Sequence, residues 1–238
     1  MSSQGATEAV VGRFPHFRAL GDETRRQLAE ALSRVDLPSD GVLFRRGAAV
    51  DGCYLLEAGA LKVSIEDHAG RESWLAILGA GDMVGELGVV DHQPRSATVS
   101  ALTNCRLWRL PVRDFDRLRQ RDADLYFCVV QLICERLRIT NLQVCNQRLG
   151  LEGRLAQTML KLARAFGQPL DDGRVLVRYK IAQSRLAEIA GVSRENVNRQ
   201  FGAWREAGLY EMISRYYCLR AIPQWERLAG DYIPTNTG

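Results

Sequence analysis

Between residues 41 and 112 the apolar positions fall in short runs (VLF, YLL, LKVSI, WLAIL, MVGELGVV, ATVSAL and RLWRL) separated by polar residues. Gly41, Gly47, Gly52, Gly59, Gly70, Gly79 and Gly81 punctuate them. Short alternating runs with turn residues between them predict short strands closing into a small β-sandwich or jelly-roll-like roll. No strand–helix alternation is visible, which argues against a doubly wound parallel sheet. Residues 15–35 carry Leu20, Leu28 and Leu32 roughly on one face and predict a helical entry to the roll.

From Pro111 to about Arg148 the period becomes helical. Tyr126, Val130, Ile133, Leu137, Thr140 and Val144 recur at alternating spacings of 4 and 3. That heptad seam suits a two-stranded coiled coil between two copies of the chain. An ordinary long helix packed on its own domain gives the same pattern, and this alternative stays open. A hinge is expected near LGLEG (149–153), then a helix over 154–167 and a strand at VLVRYKI. LYEMISRYYCLRAI (209–222) reads as a hairpin and QWERLAG as a short terminal helix.

The stretch QSRLAEIAGVSRENVNRQF predicts two helices joined by a tight turn. Leu186, Ile189 and Ala190 form the inner face of the first, and Gly191 supplies the positive φ that the turn needs. Ser193 is a good N-cap for the second, whose buried stripe is Val197, Phe201 and Trp204. Arg194, Glu195, Asn198 and Arg199 are left on the outer face. Arg pairs bidentately with guanine, and Glu accepts from cytosine, so this face suits the major groove of double-stranded DNA. Ser193 and the helix N-terminus suit a phosphate. A helix pair with no DNA role explains the apolar positions equally well, but not the Arg–Glu pair at the head of the second helix.

Charge sharpens this reading. The net charge of +4 lies wholly beyond residue 150, where 13 Lys and Arg stand against nine Asp and Glu; the first 150 residues hold 19 of each. A basic C-terminal third suggests an anionic partner. The six cysteines form no CxxC pair and the three histidines lie far apart, so buried reduced thiols are expected and no metal site. Cys134 and Cys145 read as packing residues. With no GxSxG or P-loop and no nucleophile–base set, catalytic residues are not expected, and the chain reads as no enzyme. No apolar run is long enough to span a bilayer and the first residues lack a secretion signal, so a cytoplasmic protein with no membrane partner is expected.

One segment stands apart: GELGVVDHQPRSATV, residues 85–99, is rich in turn residues and ends on Arg95 with small residues behind it. Gly85 and Gly88 leave room for backbone N–H groups to approach a phosphate. Arg95 can add a charge-assisted pair and Ser96 a hydroxyl, and Glu86 can accept from a ribose hydroxyl. A β-turn closed by a surface arginine is the plain alternative.

GELGVVDHQPRSA resembles the phosphate-binding cassette of the cyclic AMP receptor protein/FNR (Crp–Fnr) superfamily of bacterial transcription regulators. RLAQT and AGVSRENVNR resemble that family's hinge-proximal and recognition helices, and the likeness runs in unchanged order from about residue 15 to 222. The resemblance implies an α+β chain: a cyclic-nucleotide-binding β-roll over 1–122, a dimerisation helix and hinge over 123–149, and a winged helix–turn–helix domain over 150–238. It implies a cyclic-nucleotide site of Gly85, Glu86, Leu87, Arg95 and Ser96, with Thr140 and Asn141 facing the purine. Ser193, Arg194, Glu195, Asn198 and Arg199 would contact a palindromic TGTGA-type site, bound by a homodimer that engages RNA polymerase as an activator. The implied allosteric ligand is cAMP; a cGMP-responsive regulator is the alternative because Asn141 replaces the family's serine, and a ligand-independent one is a further alternative, although such members often lose the cassette Glu or Arg and both stand here. The Glu86-to-Arg95 spacing is one residue shorter than in the family, Ala182 stands at a usual Thr N-cap, and Gln200 takes a usually aliphatic position.

Overall fold

A computed structural model describes the chain from residue 10 to residue 230, apart from residues 69, 71, 147 and 148 and the side chains of 142–146. The chain divides into two compact units, one through Leu137 and one from Arg138 onward.

The first unit holds two antiparallel sheets. Strands β1 (Ser33–Leu37), β8 (Cys105–Pro111), β3 (Gly52–Ala58) and β6 (Met83–Val84) form one, in that order. Strands β2 (Val42–Phe44), β7 (Thr98–Ala101), β4 (Leu61–Glu66) and β5 (Glu72–Leu78) form the other. The first five residues of β3 are all buried, because both its faces are covered. Tyr54 and Leu56 join Leu61, Val99 and Leu107 between the sheets, whereas Cys53 and Leu55 face a second core built with helices. Period-two alternation sends neighbours to opposite faces, so a strand covered on both reads as a continuous apolar run.

The expected helical entry over 15–35 is shorter than the sequence suggests. A single 3₁₀ turn at Pro15–Phe17 precedes α1 (Asp22–Ala31), and the chain is extended at Leu32 (ψ 135°). Residues Ser33–Leu37 then pair antiparallel with β8. The free edge of the sheet captures these residues, which local periodicity alone assigns to the helix. A second difference lies in the cassette, where Glu86–Asp91 forms a short helix, α2, between Gly85 and His92, both in the left-handed conformation.

After α3 (Val112–Arg121) comes the long α4 (Ala123–Asn146). Leu125, Cys128, Val129 and Leu132 are buried on the helix-side core, and Tyr126 and Ile133 pack against it. Phe127 (59% exposed), Cys134 and Leu137 (58%) are exposed instead, with Val130 half-buried. The outward apolar row is therefore 127, 130, 134 and 137, not the series beginning Tyr126 and Ile133. Both series alternate 3 and 4; the sheet beneath decides which faces out. Cys134 is correspondingly not a packing residue, and the side chains of Val144 and Cys145 lie outside the described residues. Cys53, Cys105, Cys128 and Cys218 are buried free thiols, and burial pushes Cys53 up to about 12.

In the second unit α5 (Leu151–Phe166) buries Leu155, Ala156, Met159 and Leu162. A four-stranded sheet runs β11 (Tyr210–Ile213), β12 (Tyr216–Leu219), β10 (Val175–Val177), β9 (Gly167–Pro169). Helices α6 (Gln183–Ala190) and α7 (Arg194–Glu206) form the helix–turn–helix, and α8 (Ile222–Leu228) closes the unit. Phe201 makes edge contacts with Trp204, Tyr210 and Tyr217, and Trp204 packs on Trp225. This aromatic cluster pins α7 to the hairpin, so the outer face of α7 is held on a rigid base. Among the described residues no helix is long and apolar enough to cross a membrane.

Candidate functional site

Arg95 is buried, its side chain only 2% exposed. Its Nη1 donates to the Gly85 carbonyl (3.1 Å), and its Nη2 donates to the Gly52 carbonyl (2.6 Å) and to Asp51 Oδ1 (2.7 Å). The guanidinium lies 4.1 Å from the centre of the Phe44 ring, a cation–π contact in a desolvated setting. Nε is buried and has no hydrogen-bond partner among the described residues. A buried cationic donor left over in this way suits an anion's oxygen, so the residues present fit a phosphate.

The surrounding backbone explains the local sequence. Gly85 has φ +81°, and a Cβ there would stand 2.4 Å from Arg95 Nη1. The small residues after Arg95 lead into β7, and the chain here returns beside the 45–48 turn: Gly47 N–H donates to the Arg95 carbonyl and Arg95 N–H to that of Ala48. Gly88 serves packing, since a Cβ on it would meet Val50 Cγ2 at 2.4 Å. Asp51 holds the network from the other side. Its Oδ2 accepts from the Tyr54 hydroxyl (2.6 Å) and lies 3.5 Å from Arg109 Nη1. Burial pushes the Asp51 carboxyl up, but the Tyr54 hydroxyl and the Arg95 guanidinium outweigh it and hold it below its ordinary value.

Glu86, at the head of α2, is buried and paired with Arg136 Nη1 on α4 at 2.7 Å. Arg136 also donates to the Met83 carbonyl. Leu87 and Ser96 are exposed. The structure thus gathers Gly85, Glu86 and Arg95 around the β3 and α2 ends, with Leu87 on the outward side of α2 and Ser96 next to Arg95 in the chain. Thr140 and Asn141 are exposed on α4 and belong to the second unit. The sequence alone does not point to Phe44, Asp51 and Arg136. None carries a local motif: each reaches the site from a distant strand, turn or helix.

On the second unit, Ser193 Oγ accepts from Asn196 N–H (3.2 Å) as the N-cap of α7. Gly191 takes φ +62° at the turn. Ala182 precedes α6 with no side-chain cap. Arg194, Glu195, Asn198 and Arg199 are all exposed, opposite the buried Val197, Phe201 and Trp204. Arg199 Nη2 is steadied by Asn196 Oδ1 (2.9 Å). Gln200 and Trp204 both donate to Glu152 Oε1, at 3.0 and 2.9 Å. This explains an amide at an aliphatic position: it ties α7 to the first turn of α5.

Residues 34–122 match the cyclic nucleotide-binding domain family, and residues 153–230 the Crp-like helix-turn-helix domain family. The cAMP-activated global transcriptional regulator CRP of Salmonella typhimurium is 35% identical over 167 residues, 68% of this chain and 77% of that protein. The chain belongs to the Crp–Fnr superfamily. A second Crp–Fnr relative, the CRP-like cAMP-activated global transcriptional regulator of Mycobacterium tuberculosis, is 29% identical over 205 residues, covering 84% of this chain and 90% of its own. Among solved structures, FixK2 of Bradyrhizobium japonicum aligns with a TM-score of 0.70 at 14% identity, over 83% of this chain and 96% of its own. The c-di-GMP responsive regulator CLP of Xanthomonas campestris aligns at 0.67 and 21%, over 84% and 100%. At those identities the likeness speaks for the fold. The chain is a Crp–Fnr transcription regulator with a cyclic nucleotide-binding and a helix–turn–helix domain, and not an enzyme.

Proposed function

We propose that this regulator binds cAMP in the first unit and, as a homodimer, a palindromic TGTGA-type DNA site through α7, acting as a cytoplasmic activator that engages RNA polymerase. The observation that carries the reading is the buried Arg95 on its Phe44 floor, with an unpartnered Nε, in a chain that also presents an exposed Arg194–Glu195–Asn198–Arg199 face. Arg95 would hold the cyclic phosphate with help from the Ser96 hydroxyl and the Gly85 turn. Glu86 would accept from the ribose, beside Leu87. The roles of Thr140 and Asn141 toward the purine rest on the family resemblance. When bound, the ligand supplies an anion and a purine whose unequal affinity for two arrangements of the chain shifts their balance.

The exposed row Phe127, Cys134 and Leu137 on α4 supports a helix-to-helix dimer seam. A two-fold dimer would present two α7 helices to half-sites one helical turn apart, about 34–36 Å. The choice of cAMP draws on the two cAMP-activated relatives. The competing ligand is cGMP, since the Asn141 amide both donates and accepts. Calorimetry with cAMP and cGMP, followed by a mobility-shift assay on a TGTGA palindrome with each, tests the reading. The expected result is cAMP binding and a cAMP-dependent shift; a shift of equal strength with and without either nucleotide overturns ligand control.

A further inference from the structure

Arg95 already faces one anion. Asp51 Oδ1 sits 2.7 Å from Nη2, and among the described residues no other carboxylate pairs with Arg95. The two partners are unequally placed. The Arg95 side chain is 2% exposed and held by two backbone carbonyls and the Phe44 ring, whereas Asp51 is 48% exposed. Asp51 can turn toward water only by giving up its bonds from Arg95 and Tyr54, but the arginine has nowhere to go. Asp51 also reaches Arg109, so one carboxylate offsets two guanidinium charges.

We propose that Asp51 is a built-in competitor for Arg95, a residue of this chain that lowers the affinity of the cradle for a ligand phosphate and so sets the nucleotide concentration to which the regulator responds. The inference rests on the proposed nucleotide site. A phosphate accepting from Arg95 would lie within a few ångströms of the Asp51 carboxylate, and two anions sharing one guanidinium repel. Either Asp51 withdraws into solvent, losing its pairing with Arg95, or the anions coexist and repel; each path weakens ligand binding. Tyr54 favours the pairing with Arg95, because its hydroxyl holds Asp51 Oδ2 and keeps Oδ1 aimed at the arginine.

Asp51→Asn tests this. The amide keeps an oxygen for Arg95 Nη2, but removes the charge. In calorimetry on the full chain, cAMP is expected to bind Asp51→Asn about three- to tenfold more tightly than the wild type. The gain should be largest at low ionic strength and shrink as salt screens it. Thermal denaturation adds a second reading. Without nucleotide the variant should melt lower, because a buried cation has lost its counter-charge; saturating cAMP should raise its melting temperature by more than it raises the wild type's. Asp51→Ser, smaller and equally uncharged, should also gain affinity if the charge is what matters. Damage to the fold loosens binding and does not tighten it. Equal or weaker cAMP binding by both variants, beside a wild type that binds, overturns the competitor role while leaving the nucleotide site standing. A wild type that binds neither cAMP nor cGMP removes the site itself and the inference with it.

Discussion

Arg136 on α4 and Glu86 at the head of α2 form an ion pair at 2.7 Å, with the Glu86 side chain only 9% exposed. The pair ties the cassette helix to the long helix, and the Arg136 bond to the Met83 carbonyl adds the end of β6. Removing one partner strands a buried charge, which costs more than the pair contributes. Arg136→Ala should therefore lower stability by about 2–3 kcal/mol in urea denaturation. The double variant Arg136→Gln/Glu86→Gln should lose less than the sum of its singles. Strict additivity would show that the contact carries no coupling.

Gly85 and Gly88 should fail differently. Gly85→Ala forces a Cβ to within 2.4 Å of Arg95 Nη1 at φ +81°, so it displaces the guanidinium. Strain of about 1–3 kcal/mol is expected, with a fall in cAMP affinity that persists at temperatures where the variant is folded. Gly88→Ala presses on Val50 and should cost stability with little change in affinity. The two measurements are a melting curve and calorimetry; equal affinity losses in both would detach Gly85 from Arg95.

Arg194→Ala should lose about 1–3 kcal/mol at one base pair of the target and relax specificity there. Mobility shifts on a panel of single-base variants of the palindrome would show the loss at one position. A uniform loss across the panel would instead make Arg194 a phosphate contact.

Acid should expose the Asp51 network. The folded carboxyl titrates below the ordinary aspartate value of about 3.9, so its contribution is fully present above that pH and is lost as pH falls through the lower, folded value. Wild-type stability should thus fall more steeply than that of Asp51→Asn as the pH drops below about 4. Parallel curves from chemical denaturation at a series of pH values would remove Asp51 from the acid response.

Much of the second unit is legible in its sequence. Ser193, Gly191 and the stripe Val197–Phe201–Trp204 act within one or two helical turns, and each stands in the expected role in the fold. The cassette is legible as a motif but not as a contact set. Its arginine is expected to face a phosphate; it lies inward on Phe44 with Asp51 as partner, and Nε is the donor left over. On α4 the expected seam and the exposed row differ by one position at Tyr126 and Ile133, since a 3–4 repeat does not say which of two adjacent rows the neighbouring core claims.

The succession of roll, long helix and helix–turn–helix, the capped recognition helix, the basic third and the glycine-bounded cassette can all be read from the sequence. All of these follow from interactions between residues a few positions apart, where periodicity and φ preference decide. The partners of the buried charges depend instead on the folded chain. Asp51 lies 44 positions from Arg95, and Arg136 lies 50 from Glu86. Such pairs form because strands, turns and helices from distant parts of the chain bring charges into poorly solvated places, where each must find a counter-charge or remain costly.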